Sequence, residues 1–124
     1  MSRASEGADS VTELDLDRAA TEIERRRGEW IERGFMMGNL TWREQGQWPA
    51  ELLDRSSVKN PDSVGFTLRK GLAEGHIVLF RGGWADVEWW DGSSSQVSVD
   101  APDVPDITSF SELLDSIVST WKLD

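Results

Sequence analysis

The chain has 124 residues, enough for one domain core and too short for two independent ones. With 38% apolar and 29% charged residues it has the composition of a folding chain; without cysteine it can have no disulfide, thiolate metal site or cysteine nucleophile. Thirteen Lys and Arg against 23 Asp and Glu give a net charge of −10, which disfavours nucleic acid and anionic membrane as partners. The imbalance is local. Residues 84–124 carry nine acids and a single base, Lys122, whereas residues 1–83 carry fourteen acids and twelve bases. No apolar run approaches the roughly 20 residues of a membrane span, and the first residues lack the apolar core of a signal peptide. A cytoplasmic location is the expectation.

Residues 1–9 are small, polar and charged and read as a disordered tail, leaving 10–124 as one domain. Ser10 and Glu13 have capping-box spacing, and Leu16, Ala20, Ile23, Arg27, Trp30, Ile31 and Gly34 follow at roughly helical intervals. The pattern predicts a helix over Val11–Arg33 with Gly34 as its C-terminal stop. Phe35–Arg43 has apolar weight without helical spacing and reads as a first strand, followed by a loop over 44–50. For Glu51–Val58 a strand joined to the next through a turn at Lys59-Asn60-Pro61-Asp62 is the economical reading, with a short helix opened by Pro49 as the alternative.

Val64, Phe66 and Leu68 alternate with Gly65, Thr67 and Arg69, the period of a half-buried strand. Gly71 and Gly75 bracket a turn, and His76–Arg81 reads as a central strand. Gly82-Gly83 marks a tight hairpin into Trp84–Trp90, and Asp91-Gly92 marks another before Ser95–Val99. The connector after Asp100 contains two prolines, which argue against regular pairing there. Ser109 and Glu112 form a second capping-box pattern, and Phe110, Leu113, Leu114, Ile117, Val118 and Trp121 are spaced as the apolar stripe of a helix. The fold class expected is α+β: one antiparallel sheet of four to five strands with an N-terminal and a C-terminal helix packed on one face.

Chemistry-bearing constellations are few. Asp86 and Glu88 lie two apart on one strand with Asp91 just beyond, a pattern that can hold Mg²⁺ or divide acid and base roles. A nuclease of that kind would also place a lysine at position 90, which is Trp, and no third ligand has convincing spacing. His76, the only histidine, has no Ser, Cys or Asp partner at motif spacing. There is no nucleophile elbow, phosphate-cradling loop or HExxH pattern. No catalytic residue, metal or cofactor is therefore expected.

The seven tryptophans are the unusual feature. Trp30 and Trp121 lie on predicted apolar helix faces. Trp84, Trp89 and Trp90 crowd one strand, where neighbours point to opposite faces. Either Trp89 joins Ala85 and Val87 inside, leaving Trp84 and Trp90 outside with Asp86 and Glu88, or the assignment is reversed. The first arrangement has the make-up of a protein-binding patch, in which aromatic anchors bury area and carboxylates select a basic partner.

The runs NPDSVGFTLRKG and GHIVLFRGGWADVEWWDG, followed by a short strand and a terminal amphipathic helix, resemble the TriTu family of bacterial immunity proteins. The residues concerned are Asn60-Pro61 leading into a strand, the strand from Gly75 to Phe80, and Gly83-Trp84-Ala85-Asp86-Val87-Glu88; the likeness covers roughly residues 60–124. What the resemblance implies is a small cytoplasmic non-enzyme that binds and neutralises a cognate toxin of a polymorphic or contact-dependent system. Such a toxin is expected to be basic, as a nuclease would be. The partner-binding residues expected are Trp84, Asp86, Glu88, Trp90 and Asp91, with a monomer favoured and neither nucleic acid nor membrane as partner. The alternative is an acidic secretion chaperone, which would dimerise. A metal-dependent enzyme on Asp86, Glu88 and Asp91 and a binder that stacks small ligands on tryptophan are further rivals.

Overall fold

The computed structural model describes residues 13–93 and 95–120. The expected tail, the Ser10 cap and Trp121 lie outside the described residues. Two α-helices and one antiparallel sheet make up an α+β fold, with the helices first and last in the element order. In chain order these are α1 (Leu16–Glu32), β1 (Met36–Met37), β2 (Thr41–Glu44), a 3-10 turn at Arg55–Ser57, β3 (Pro61–Lys70), β4 (Ala73–Phe80), β5 (Trp84–Trp90), β6 (Ser98–Asp100) and α2 (Ile107–Thr120). The sheet runs β1-β3-β4-β5-β6, with β2 beside β1 along the same edge of β3.

Helix α1 is capped by Asp15, whose carboxylate accepts the backbone N–H groups of Asp17 and Arg18 at 3.1 and 3.2 Å. It ends where predicted: Gly34 sits at φ +95°, a conformation that costs any other residue steric strain, and its N–H closes on the Ile31 carbonyl. The buried stripe is Leu16, Ala19, Ile23, Arg26 and Trp30. Expected stripe positions Ala20 and Arg27 are only partly buried, and Ile31 is exposed. Arg26 can belong to the buried stripe because its guanidinium is met by Glu22, Ser111 and Asp115.

Helix α2 buries Phe110, Leu114 and Ile117 and partly buries Leu113, as its spacing predicts. Its cap is not Ser109. The carboxylate of Asp106 accepts the Ser109 backbone N–H at 2.7 Å, so the helix starts three residues earlier than the Ser–Glu pattern suggested. An ionised carboxylate is the stronger acceptor for an orphan N–H at a helix start.

The expected first strand, Phe35–Arg43, is split. Met36 and Met37 pair with β3 near one end and Thr41–Glu44 near the other, with Asn39 and Leu40 out of the ladder between them. The segment 51–58 is not a hairpin strand. It contributes a single bridge, Leu53 to Trp42, and then the 3-10 turn. Arg55 fixes it there, pairing with Asp17 at 2.7 Å, donating to the Val58 carbonyl at 2.6 Å and lying over the Trp42 ring. Glu44 binds the backbone N–H groups of Lys59 and Asn60, and β3 begins immediately at Pro61. The turn after β3 is Gly71-Leu72, so Gly75 lies within β4 rather than closing a turn.

Both helices lie on one side of the sheet. Trp42, Val64, Phe66, Leu68, Ile77, Leu79 and Ala85 point to that side and form the core with Leu16, Ala19, Ile23, Trp30, Phe110, Leu114 and Ile117. Trp30 stacks on Phe66 with ring centres 5.5 Å apart. The connector after β6 is more regular than its prolines suggested. The Ala85 N–H reaches the Pro102 carbonyl and the Val104 N–H reaches that of Gly83, with Val104 fully buried. Neither bond needs a proline N–H. The start of β5 is thereby covered along its outer edge.

Candidate functional site: the open face of the sheet

The face opposite the helices is set by parity. Antiparallel register aligns side chains into rows across the sheet. One row runs Arg43, Ser63, Phe80, Trp84; the next Thr41, Gly65, Val78, Asp86; the third Thr67, His76, Glu88, Val99; the fourth Met36, Arg69, Glu74, Trp90. Strand β5 thus carries Trp84, Asp86, Glu88 and Trp90 on the open face, while Ala85, Val87 and Trp89 turn to the core. Trp84 is 43% exposed and Trp90 37%, whereas Ala85 is fully buried and Val87 and Trp89 are packed against the core. Of the two arrangements that alternation left open, the structure has the one with Trp89 inside.

One of the exposed rings is braced by its neighbours. Trp84 stacks on Phe80 with centres 4.8 Å apart and planes 16° from parallel, and its edge lies so close over Gly82 that a Cβ there would meet it at 2.5 Å. Trp90 borders a hollow with Glu74, His76, Glu88 and Val97. Asp86 and Glu88 are exposed and make no ion pair among the described residues. In this they differ from Asp17, Glu22, Glu24, Glu29, Glu74 and Asp115, each salt-bridged to a cation. Asp91 ends the strand, and its carboxylate accepts the Ser93 backbone N–H at 2.8 Å. It stands at the corner of the patch and is occupied with its turn. The five expected partner-binding residues are therefore brought to one surface, four on the face and one at its edge.

Three features of this face escape a reading of the sequence. First, His76 is not alone: its Nε2 lies 2.7 Å from Glu74 Oε2 and its Nδ1 lies 3.0 Å from Thr67 Oγ1. Glu74 also accepts from Arg69 at 2.8 Å, and its carboxyl is held below the ordinary range, first by the His76 hydrogen bond. The Glu74–His76 spacing of two on a strand was a legible signal; Thr67 required the register. Hydroxyl, imidazole and carboxylate are the parts of a proton relay. Here they join a residue of β3 to two of β4. The chain of contacts works as a clamp between the two strands.

Second, the face is grooved. A trough of about 430 Å³ crosses the strands, bounded by Asn39, Thr41, Arg43 and Leu52 at one end and Asp86 and Glu88 at the other, over Thr67, His76 and Val78. Gly65 lies between Thr41 and Val78 in one row, packed so closely that an added Cβ would sit 3.0 Å from the Ile77 carbonyl and from a Val78 methyl. Third, apolar side chains border the face: Met36, Leu52, Val97 and Val99 are all more than half exposed. A second cleft, lined by Val87, Trp89, Leu113 and Ile117, lies on the helix side.

Among the described residues no group of three or more His, Asp or Glu side chains converges as metal ligands, and no helix is long and apolar enough to cross a membrane. Comparison of the chain with family models, with curated proteins and with solved structures gives no match, so the TriTu likeness rests on the sequence pattern alone.

Proposed function

We propose that the protein is a non-enzymatic immunity protein that binds and neutralises a basic toxin domain through the open face of its sheet. The observation that carries this reading is the run of exposed Trp84, Asp86, Glu88 and Trp90 on a sheet face that neither helix covers. Aromatic side chains held rigid before contact lose little entropy on binding. Unpaired carboxylates between them attract a cationic surface and reject an acidic one. The acidic C-terminal third supports the same reading. Its Asp86, Glu88, Asp91, Asp100 and Asp103 gather on β5, β6 and the segments beside them, so one margin of the sheet is strongly negative. A nuclease domain, with a basic substrate channel, is the partner class that such a margin fits. The likeness of residues 60–124 to TriTu immunity proteins points the same way.

The test is co-expression. The C-terminal domain of the large open reading frame immediately upstream of this gene is expressed in a bacterial host with and without this protein. Expected is growth arrest by the domain alone, rescue by the protein, and a stable one-to-one complex of the two. Rescue should fail with Trp84→Ala/Asp86→Lys/Glu88→Lys/Trp90→Ala. A toxic domain that the protein neither binds nor neutralises overturns the proposal.

A further inference from the structure

The trough on the open face has electrical direction, and that direction identifies what it receives. Resting on the reading of this face as a protein-docking surface, we infer that the trough is the receptor for a single arginine side chain of the partner, its guanidinium held by Asp86 and Glu88.

Arg43 and Asp86 stand at opposite ends of the trough, separated by the β3 and β4 strands, so roughly 14 Å lies between their backbones at the usual strand spacing. Arg43 makes no ion pair among the described residues and repels a cation from its own end. A positive group is therefore driven to the β5 end. There Asp86 and Glu88 lie two residues apart on one strand, about 6.6 Å between Cα atoms, and both side chains leave the same face. A planar guanidinium with five donors can bridge two carboxylates at that spacing, whereas an ammonium is a point charge that serves one of them well.

The floor suits the rest of an arginine. Val78, beside Thr67 and His76, offers methyl groups against which the three methylenes of the stem can lie. Phe80-braced Trp84 stands in the row on one side of the two acids and Trp90 in the row on the other. Both tryptophans flank the acid pair, outside the lining of the trough. Val78 and Asp86 are cross-strand neighbours, as are His76 and Glu88, so stem and head are both met along adjoining rows.

The experiment is a nitrogen–proton correlation NMR titration of the full chain with N-acetyl-argininamide, with N-acetyl-lysinamide as the comparison probe. Expected are saturable shifts at Thr67, Val78, Asp86 and Glu88 with the arginine probe, binding at least about fivefold tighter than the lysine probe. The Asp86→Asn/Glu88→Gln variant should weaken it about tenfold or more. Val78→Arg, which supplies a guanidinium from inside, should abolish probe binding while leaving the rest of the spectrum folded. Equal response to both probes, shifts confined to other surfaces, or indifference to these substitutions would overturn the inference. The two proposals separate cleanly. Rescue of growth with no arginine response leaves the immunity reading standing and removes the trough as receptor. Arginine binding without rescue keeps the receptor and removes the toxin.

Discussion

Arg26 is the most consequential charged residue of the fold. It is only 8% exposed, yet it donates to Asp115 at 2.9 Å, to the Glu22 carboxylate at 3.1 Å and to the Ser111 hydroxyl at 2.6 Å. A guanidinium with that many acceptors can be buried because each donor is satisfied. Its removal leaves Asp115 without that cation and Glu22 with Arg25 alone, and opens the joint between α1 and α2. Arg26→Ala is expected to cost about 2–3 kcal/mol, less than a fully buried pair because Asp115 is largely exposed, read from the urea unfolding midpoint. The same contacts set an acid limit. Arg26 holds the carboxyls of Glu22 and Asp115 below their ordinary values, as Arg55 does for Asp17 and Arg27 for Glu24. Between each lowered value and the ordinary one the unfolded chain binds more protons, so stability rises with pH through that window. The thermal midpoint should be level above about pH 5 and fall as pH drops below about 4.5. A midpoint unchanged down to pH 3 would contradict this. At the start of α2, Asp106→Ala should destabilise more than Ser109→Ala in the same measurement, because Asp106 supplies the accepting carboxylate.

At the scale of elements, β5 shows how alternation becomes a surface. Its seven residues place three side chains on the core and four on the open face. Trp89 and Trp90 are adjacent, so whichever packs inside commits the other to the outside. Trp89 packs against the core and Trp90 borders an open hollow. Trp89→Ala is therefore expected to cost about 2–3 kcal/mol and Trp90→Ala under about 1 kcal/mol, checked by chemical denaturation. The strand itself was readable because Gly82-Gly83 and Asp91-Gly92 fix both ends. The region before it was not: β2 and the segment 51–58 are arranged by Arg55, whose partners Asp17 and Trp42 lie 38 and 13 residues away in the sequence. Local pattern carries no information about such contacts.

For the molecule as a whole, the charge asymmetry of the sequence becomes an asymmetry of space. Of the acids of the C-terminal third, Asp86, Glu88, Asp91 and Asp100 lie along β5 and β6 or at their ends, whereas Arg43 and Arg69 lie toward the β1 and β2 edge. A field of this kind acts mainly on encounter rates and is screened by salt. With the neutralised toxin domain as partner, Asp86→Lys/Glu88→Lys should slow association about tenfold or more at low ionic strength. The gap to the parent protein should narrow as salt is raised in stopped-flow measurements. An association rate unaffected by the double reversal would remove the acidic margin from the mechanism.

The sequence by itself determined the class of fold, the hairpin that joins β4 to β5, the stripe of α2 and the two possible faces of β5. Each follows from period and turn chemistry, which act over a few residues. Only the tertiary structure decided which face of β5 is open, because both helices had first to settle on the other side. Likewise the Glu74–His76–Thr67 clamp and the trough across the strands exist only once antiparallel pairing sets separate strands side by side. The burial of Arg26 in the joint between α1 and α2 has the same origin, since Asp115 and Ser111 lie far from it in the sequence. The capping of α2 by Asp106 is local, three residues from the Ser109 N–H, and lay within reach of the sequence.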